Sequence, residues 1–345
     1  SQLGYSGQHA TLLAWLDRLP THALTPALWR LRAQVLQDRG QLDEALIALD
    51  RAARGTDEDR MMAQVLRAQI LQQQGQLDRA AELIVPHLED EQLPAVWRAR
   101  VLRLEGVIQA HTGDYEEARQ RLQQALALIQ ETGELFDNAR INQDLGVVER
   151  LAGVLDRAEQ YYRAADAYWK ELDVVTYRCV TLNNLGMVLL ERGRLQEAQQ
   201  QLTTALSLAQ QHNVLHAQIL IHASLGDVAV ASGALAEAGT SYTAAYDSAM
   251  QYGYTNIAHY AVAGIAHSAR LRGDHTALIA VLDQLEAANP HTPTEQAWID
   301  GARAGAYWAL GLPGALEAVD AALAVVPGEE ANDRAYLLLL RAQLL

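Results

Sequence analysis

Small and apolar positions recur along this chain in a register of forty residues, with polar stretches between them. Alanines stand at Ala118, Ala158, Ala198 and Ala238, and again at Ala125, Ala165, Ala205 and Ala245. Glycines stand at Gly106, Gly146, Gly186 and Gly226, and a second set at Gly113, Gly153, Gly193, Gly233 and Gly273. Columns held over such a length define a tandem array, whose repeats bury a face only by stacking on their neighbours. The stretch from Glu134 to Asp173 is the template. It predicts a first helix, A, over roughly 134–152 with Gly153 as its stop, then a second, B, over roughly 154–171 with Asp173 following. Gly133, Asp173, Asn213 and Gly253 repeat that last stop. All three residue types tolerate the left-handed backbone that closes a helix C-terminus. The alanine and inner glycine columns let antiparallel backbones approach closely. Gly146 is expected to face its own B helix near Ala158.

The spacing tightens at both ends. Gly40, Gly75 and Gly113 mark shorter units, and beyond Gly273 and Gly311 the signature fades, with Pro313 interrupting it. The array predicts an all-α fold: one domain over 1–345, a right-handed α-solenoid of about eight helix pairs with a period near 40. It divides into a partial unit over 1–21, helix-pair repeats over 22–328 and an unpaired helix over 329–345. Leu337 to Leu340, Leu344 and Leu345 surround that last helix with apolar side chains, the pattern of a buried helix rather than a polar cap. With no initiator methionine at position 1, this reads as a piece excised from a longer chain.

Composition narrows the function. The formal net charge is −15, and an acidic body repels phosphate backbones, so direct nucleic-acid binding is not expected. Lys170 is the only lysine and lies outside any phosphate-loop pattern. Cys179 is the only cysteine, which leaves no disulfide framework and no thiolate metal site and reads as a packed thiol. His212, His216 and His222 lack a completing carboxylate or thiolate, so surface roles are expected and metal is not. No signal-peptide pattern and no membrane-length apolar run occur, which fits the cytoplasm. No catalytic motif is found, so neither an enzyme nor a bound cofactor is expected.

The unit Pro26-Ala27-Leu28-Trp29 … Gly40-Gln41-Leu42-Asp43-Glu44-Ala45 … Leu49 … Ala52 resembles a tetratricopeptide (TPR) repeat. So does Leu182-Asn183-Asn184-Leu185-Gly186 … Gly193-Arg194-Leu195-Gln196-Glu197-Ala198 … Leu202 … Ala205. The opening Trp15-Leu16-Asp17-Arg18-Leu19-Pro20 is similar to that of the TPR-like sensor domain of MalT-type bacterial transcription activators, large regulators of the LuxR class. That resemblance implies a nucleotide-binding domain before the repeats and a helix-turn-helix domain after them. The tetratricopeptide resemblance places A-helix positions 2, 5, 9 and 12 of each unit on an inner groove.

At those groove positions stand Arg100, Arg103, Val107 and Ala110; Arg140, Gln143, Val147 and Arg150; Val180, Asn183, Met187 and Leu190; Leu220, Ala223, Asp227 and Val230; and Tyr260, Ala263, His267 and Arg270. Spacings of three and four residues put each set on one helix face. The candidate binding residues are therefore Arg100, Arg103, Arg140, Gln143, Arg150, Asn183, Met187, Asp227, Tyr260, His267 and Arg270. Arginine forks in the early units suit carboxylate or phosphate groups, the alternative being intramolecular pairs. Trp298 and Trp308 could reach the groove, the other tryptophans being core anchors. Glu105 sits in the inward column of Leu145, Leu185, Leu225 and Ile265 and should pair with a neighbouring arginine.

Three functions fit. The first is the sensor and interaction domain of a cytoplasmic transcription regulator, taking a small effector or a regulatory protein in the groove, with self-association open. The second is a free-standing scaffold that joins proteins. The third is a peptide-pheromone sensor, for which Asn183 and Asn184 offer few side chains to hold an extended backbone.

Overall fold

A computed structural model describes residues 9–326 and 331–345. Residues 1–8 of the expected partial unit, 327–328 at the end of the repeats and 329–330 at the start of the last segment lie outside the described residues. Among the described residues every regular element is helical. Helix α1 is His9–Arg18. Eight A/B pairs follow: α2 Pro26–Asp38 with α3 Leu42–Ala52, α4 Asp57–Gln73 with α5 Leu77–Ile84, α6 Ala95–His111 with α7 Tyr115–Thr132, α8 Leu135–Leu151 with α9 Leu155–Glu171, α10 Val175–Glu191 with α11 Leu195–Gln211, α12 Leu215–Ala231 with α13 Leu235–Tyr252, α14 Thr255–Arg272 with α15 His275–Ala287, and α16 Pro293–Leu310 with α17 Ala315–Val325. Helix α18, Ala331–Leu344, has no B partner. By packing, the chain divides into two compact units, Ser1–Thr181 and Leu182–Leu345, with the division inside α10.

The stop columns act as their chemistry requires. Gly153 adopts φ +76°, and the Val154 amide reaches back to the Glu149 carbonyl at 2.8 Å, closing the helix. The B helices end the same way at Asp173 (φ 55°) and Asn213 (φ 54°), the only non-glycine residues with left-handed backbone among those described.

The alanine columns are wholly buried from Ala118 to Ala245. The inner glycines face the B helix one turn beyond those alanines, at a slot filled alternately by Leu122, Tyr162, Leu202 and Tyr242. A Cβ on Gly146 would come within 2.7 Å of the Tyr162 ring, so the close contact there is with Tyr162 rather than Ala158. Only a residue without a side chain lets an aromatic ring lie flush on the helix backbone.

Two expectations change. Trp15 is 54% exposed and anchors no core. Helix α18 is buried on one side only: Leu337 and Leu340 pack with Ala304, Val319 and Ala322, while Leu338 and Leu339 are exposed. Cys179 is fully buried, which pushes its thiol up to about 11. Glu105 does meet an arginine, Arg121, at 3.2 Å. Burial raises its carboxyl pKa, and Arg121 opposes that. Among the described residues no helix is long and apolar enough to cross a membrane.

Candidate functional site

The groove positions are half-buried throughout, apart from Arg103, Asn183 and Ala223, which are buried. What fills them differs between the two units.

In the first unit Arg100 and Arg103 are held by carboxylates of the next A helix. Arg100 on α6 forks onto Asp137 at the start of α8, with Nε donating to Oδ1 at 2.9 Å and Nη2 to Oδ2 at 2.7 Å. Its guanidinium also lies 4.7 Å from the centre of the Trp97 ring. Arg103 is 2% exposed and donates through Nη1 to Asp144 Oδ2 at 2.7 Å. Burial, and then the nearby Arg140, lower its pKa. Arg140 stands over the Tyr177 ring, and Gln143 accepts the Thr181 hydroxyl at 2.7 Å. Arg150 is engaged within the protein as well. These contacts brace one A helix against the next: the Arg100 fork already holds Asp137, and Arg103 holds Asp144 through Nη1 alone.

In the second unit the same face opens into a cavity of about 310 Å³. Helices α12, α14 and α16 supply Asp227, Tyr260, His267 and Trp298, while α13 supplies Tyr242 and α18 supplies Asp333 and Tyr336. The space exists because Ala263, Gly264, Ala297, Gly301 and Ala302 line it with almost no side chain. A Cβ on Gly264 would meet the Tyr242 ring at 2.6 Å, and one on Gly301 would meet Leu337 at 2.7 Å.

The polar groups form two sets. Tyr242 and Tyr260 both donate their hydroxyls to Asp227 Oδ1, at 2.6 and 2.8 Å. Burial, and then the Asp227 charge, push the Tyr242 phenol far above its ordinary pKa, so it stays protonated and donates. Trp298 donates its ring N–H to Asp333 Oδ2 at 2.9 Å and meets Tyr260 edge to face at 4.9 Å. His267 Nδ1 lies 3.3 Å from the Tyr336 hydroxyl and 3.5 Å from Arg270 Nη2. Burial, and then Arg270, pull the His267 pKa down to about 4, so the ring is neutral at pH 7.

The structure thus brings together Asp227, Tyr260 and His267, places Arg270 just behind them over the Trp308 ring, and adds Trp298. Met187 and Asn183 sit on α10 and line none of this cavity; Asn183 Oδ1 is buried without a hydrogen-bond partner. Sequence reasoning missed Tyr242, Asp333 and Tyr336. Among the described residues no cluster of histidine, cysteine and carboxylate has the makings of a metal site.

Stacked A/B hairpins, left-handed stops and small-residue seams define a tetratricopeptide-type repeat protein with a pocket on its A-helix face. More narrowly, the chain belongs to the family of the MalT-like TPR region, whose model matches residues 62–305. Curated protein sequences give no match. Among solved structures the fold is similar to the apo form of RapI, at 11% identity over 92% of this chain and 98% of that one, with a TM-score of 0.69. It is similar to a signal-transduction ATPase with numerous domains (STAND) and a tetratricopeptide repeat sensor from Pyrococcus horikoshii, at 12% identity over 99% of this chain, with a TM-score of 0.69. This chain spans about half, 53%, of that protein's length. It is also similar to the apo form of the quorum sensor NprR from B. thuringiensis, at 14% identity over 92% of each chain, with a TM-score of 0.61. At these identities the likeness is one of fold.

Proposed function

We propose that this chain is the sensor and interaction domain of a cytoplasmic bacterial transcription regulator, and that the cavity of its second unit receives the effector. The family match supports a regulatory region of the MalT type. The observation that carries the reading is the cavity itself. Successive A helices line it with small residues, and its polar groups converge on one space, the usual construction of a small-ligand pocket. An effector acts by binding one state of the parent protein better than another; equal affinity for both would shift nothing.

The test uses Ala263→Leu, which places a larger side chain into the cavity, with circular dichroism as the check that the helices stay intact. A metabolite screen by thermal shift should return ligands that stabilise the natural sequence and not this variant. A screen whose hits act equally on both would move the site elsewhere. A parent reading frame without a DNA-binding domain would remove the transcriptional part of the proposal.

A scaffold role is the second reading, and the exposed Leu338 and Leu339 on α18 favour it, since adjacent exposed leucines mark a contact surface. Pull-down with the chain should then return partners that are lost on Leu338→Asp with Leu339→Asp.

A further inference from the structure

We infer that the cavity of the second unit selects a compact organic cation, an ammonium or guanidinium group carried by a free amine or by a peptide side chain. The inference rests on the reading of this cavity as the effector site and adds the chemistry of what it takes.

Three observations carry it. The first is charge. Asp227 and Asp333 line the cavity and no arginine or lysine does. One cation, Arg270, stands against His267 and the lining Tyr336 with its guanidinium over Trp308, and one such charge subtracts from the two carboxylates without cancelling them. The neutral His267 adds nothing positive.

The second is the direction of the hydrogen bonds. The hydroxyls of Tyr242 and Tyr260 already donate to Asp227, and the Trp298 N–H already donates to Asp333. A carboxylate or phosphate ligand, which needs donors, finds these three engaged and is left the single ring N–H of His267. A ligand that donates finds acceptors, first among them Asp333, whose Oδ2 takes the Trp298 N–H and whose Oδ1 takes no hydrogen bond among the described residues. The third is the wall. Tyr260 and Trp298 meet at 75°, so their ring planes form a corner. Aromatic faces beside carboxylates attract cations through the ring quadrupole. The volume of about 310 Å³ lies at the small end of ligand pockets, which limits the occupant to one compact group.

The experiment is isothermal titration calorimetry on the whole chain. The probes are choline, its neutral carbon isostere 3,3-dimethyl-1-butanol, the anion isovalerate, agmatine, and the tripeptide acetyl-Ala-Arg-Ala-amide. Choline should bind at least about tenfold more tightly than its isostere, the size of a partly desolvated cation–π contact joined to a carboxylate. Asp333→Asn keeps an acceptor for Trp298 and removes the charge; it should erase most of that ratio and leave the isostere unchanged. Ala263→Leu should abolish binding of the cations, with circular dichroism showing the helices intact. A tighter complex with agmatine identifies a free amine and one with the tripeptide a side chain, and either supports the inference.

If isovalerate or the isostere binds as well as choline and Ala263→Leu blocks it, the cation preference is overturned while the effector site stands. If choline binds and neither substitution matters, the inference is overturned because the site is elsewhere. If no cation binds, the inference is overturned; hits from the metabolite screen that Ala263→Leu blocks would then still keep the effector reading, and their absence would overturn both.

Discussion

Arg103 and Asp144 in the first unit fall at the same places in the forty-residue register as Ala263 and Gly264 in the second, and Arg100 falls where Tyr260 does. In one unit a long cation and a carboxylate occupy those places and bond across to each other at 2.7 Å. In the other an alanine and a glycine occupy them, and the face becomes a cavity. The A helices that carry these sets end on one glycine column, at Gly113, Gly153 and Gly273, while the second-unit hairpin has Ala266 at the seam and buried Leu278 and Leu285 where the earlier hairpins have alanines. The comparison teaches that this scaffold separates the residues that build it from those that give its face a chemistry. A few groove positions decide whether an A-helix face is braced or receptive.

The brace gives the largest expected effect. Asp144→Ala leaves the Arg103 guanidinium buried without its carboxylate, and unfolding in urea should show a loss of about 3 kcal/mol. Replacing both residues with leucine should recover most of that, because no charge then remains buried. Equal losses in the single and double variants would show that the pair does not act as a unit.

Next is the pH response of the second unit. The folded pKa of His267, about 4, lies below the ordinary 6.5, so the fold holds the neutral ring. Its contribution is complete above about pH 6.5 and is lost as the pH falls toward about 4, by something of order 2–3 kcal/mol. His267→Gln should flatten the stability profile across that window, and an unchanged slope would remove His267 as its source.

Smaller again is Gly264→Ala. The added methyl meets a Tyr242 ring already flanked by Gly226, so the ring has nowhere to retreat. A loss of about 1–3 kcal/mol is expected, reduced by the better helix propensity of alanine, which is worth up to about 1 kcal/mol. The same variant should weaken choline binding through a displaced Tyr242. The smallest effect is Tyr242→Phe. Asp227 keeps the Tyr260 hydroxyl, so about 1 kcal/mol is expected from the lost hydrogen bond in thermal unfolding.

Much of the fold was legible because its signals are local. Gly153 and Asp173 set the ends of α8 and α9, and the predicted spans of 134–152 and 154–171 meet the observed Leu135–Leu151 and Leu155–Glu171 within a residue or so. The division into two compact units left no mark in composition, since the repeat columns pass through α10 unchanged.

The site was legible in part. Asp227, Tyr260 and His267 lie on the helix face chosen for candidates, and Trp298 is one of two tryptophans given as able to reach it. Tyr242 was missed because it belongs to a B helix and to a core column. Its hydroxyl reaches Asp227 only because Gly226 and Gly264 let the ring pass. The signal was present in the alternation of Leu122, Tyr162, Leu202 and Tyr242. Asp333 and Tyr336 were hidden by the leucines around them, which drew attention to burial rather than to the polar side of α18. The pairing of Arg103 with Asp144 joins residues 41 apart in sequence, one period and one residue.

The ring of Tyr242 lies between glycines of two successive A helices, Gly226 and Gly264. Hairpins of this protein are therefore not interchangeable bricks, despite their common ground plan. A graft that kept the Tyr242 ring in this placement would need bare backbone on both sides, whereas Tyr162, in the same slot two repeats earlier, lies against Gly146. Descent by duplication thus leaves each copy tied to the one that follows, and shuffling would have to move such neighbours as a set.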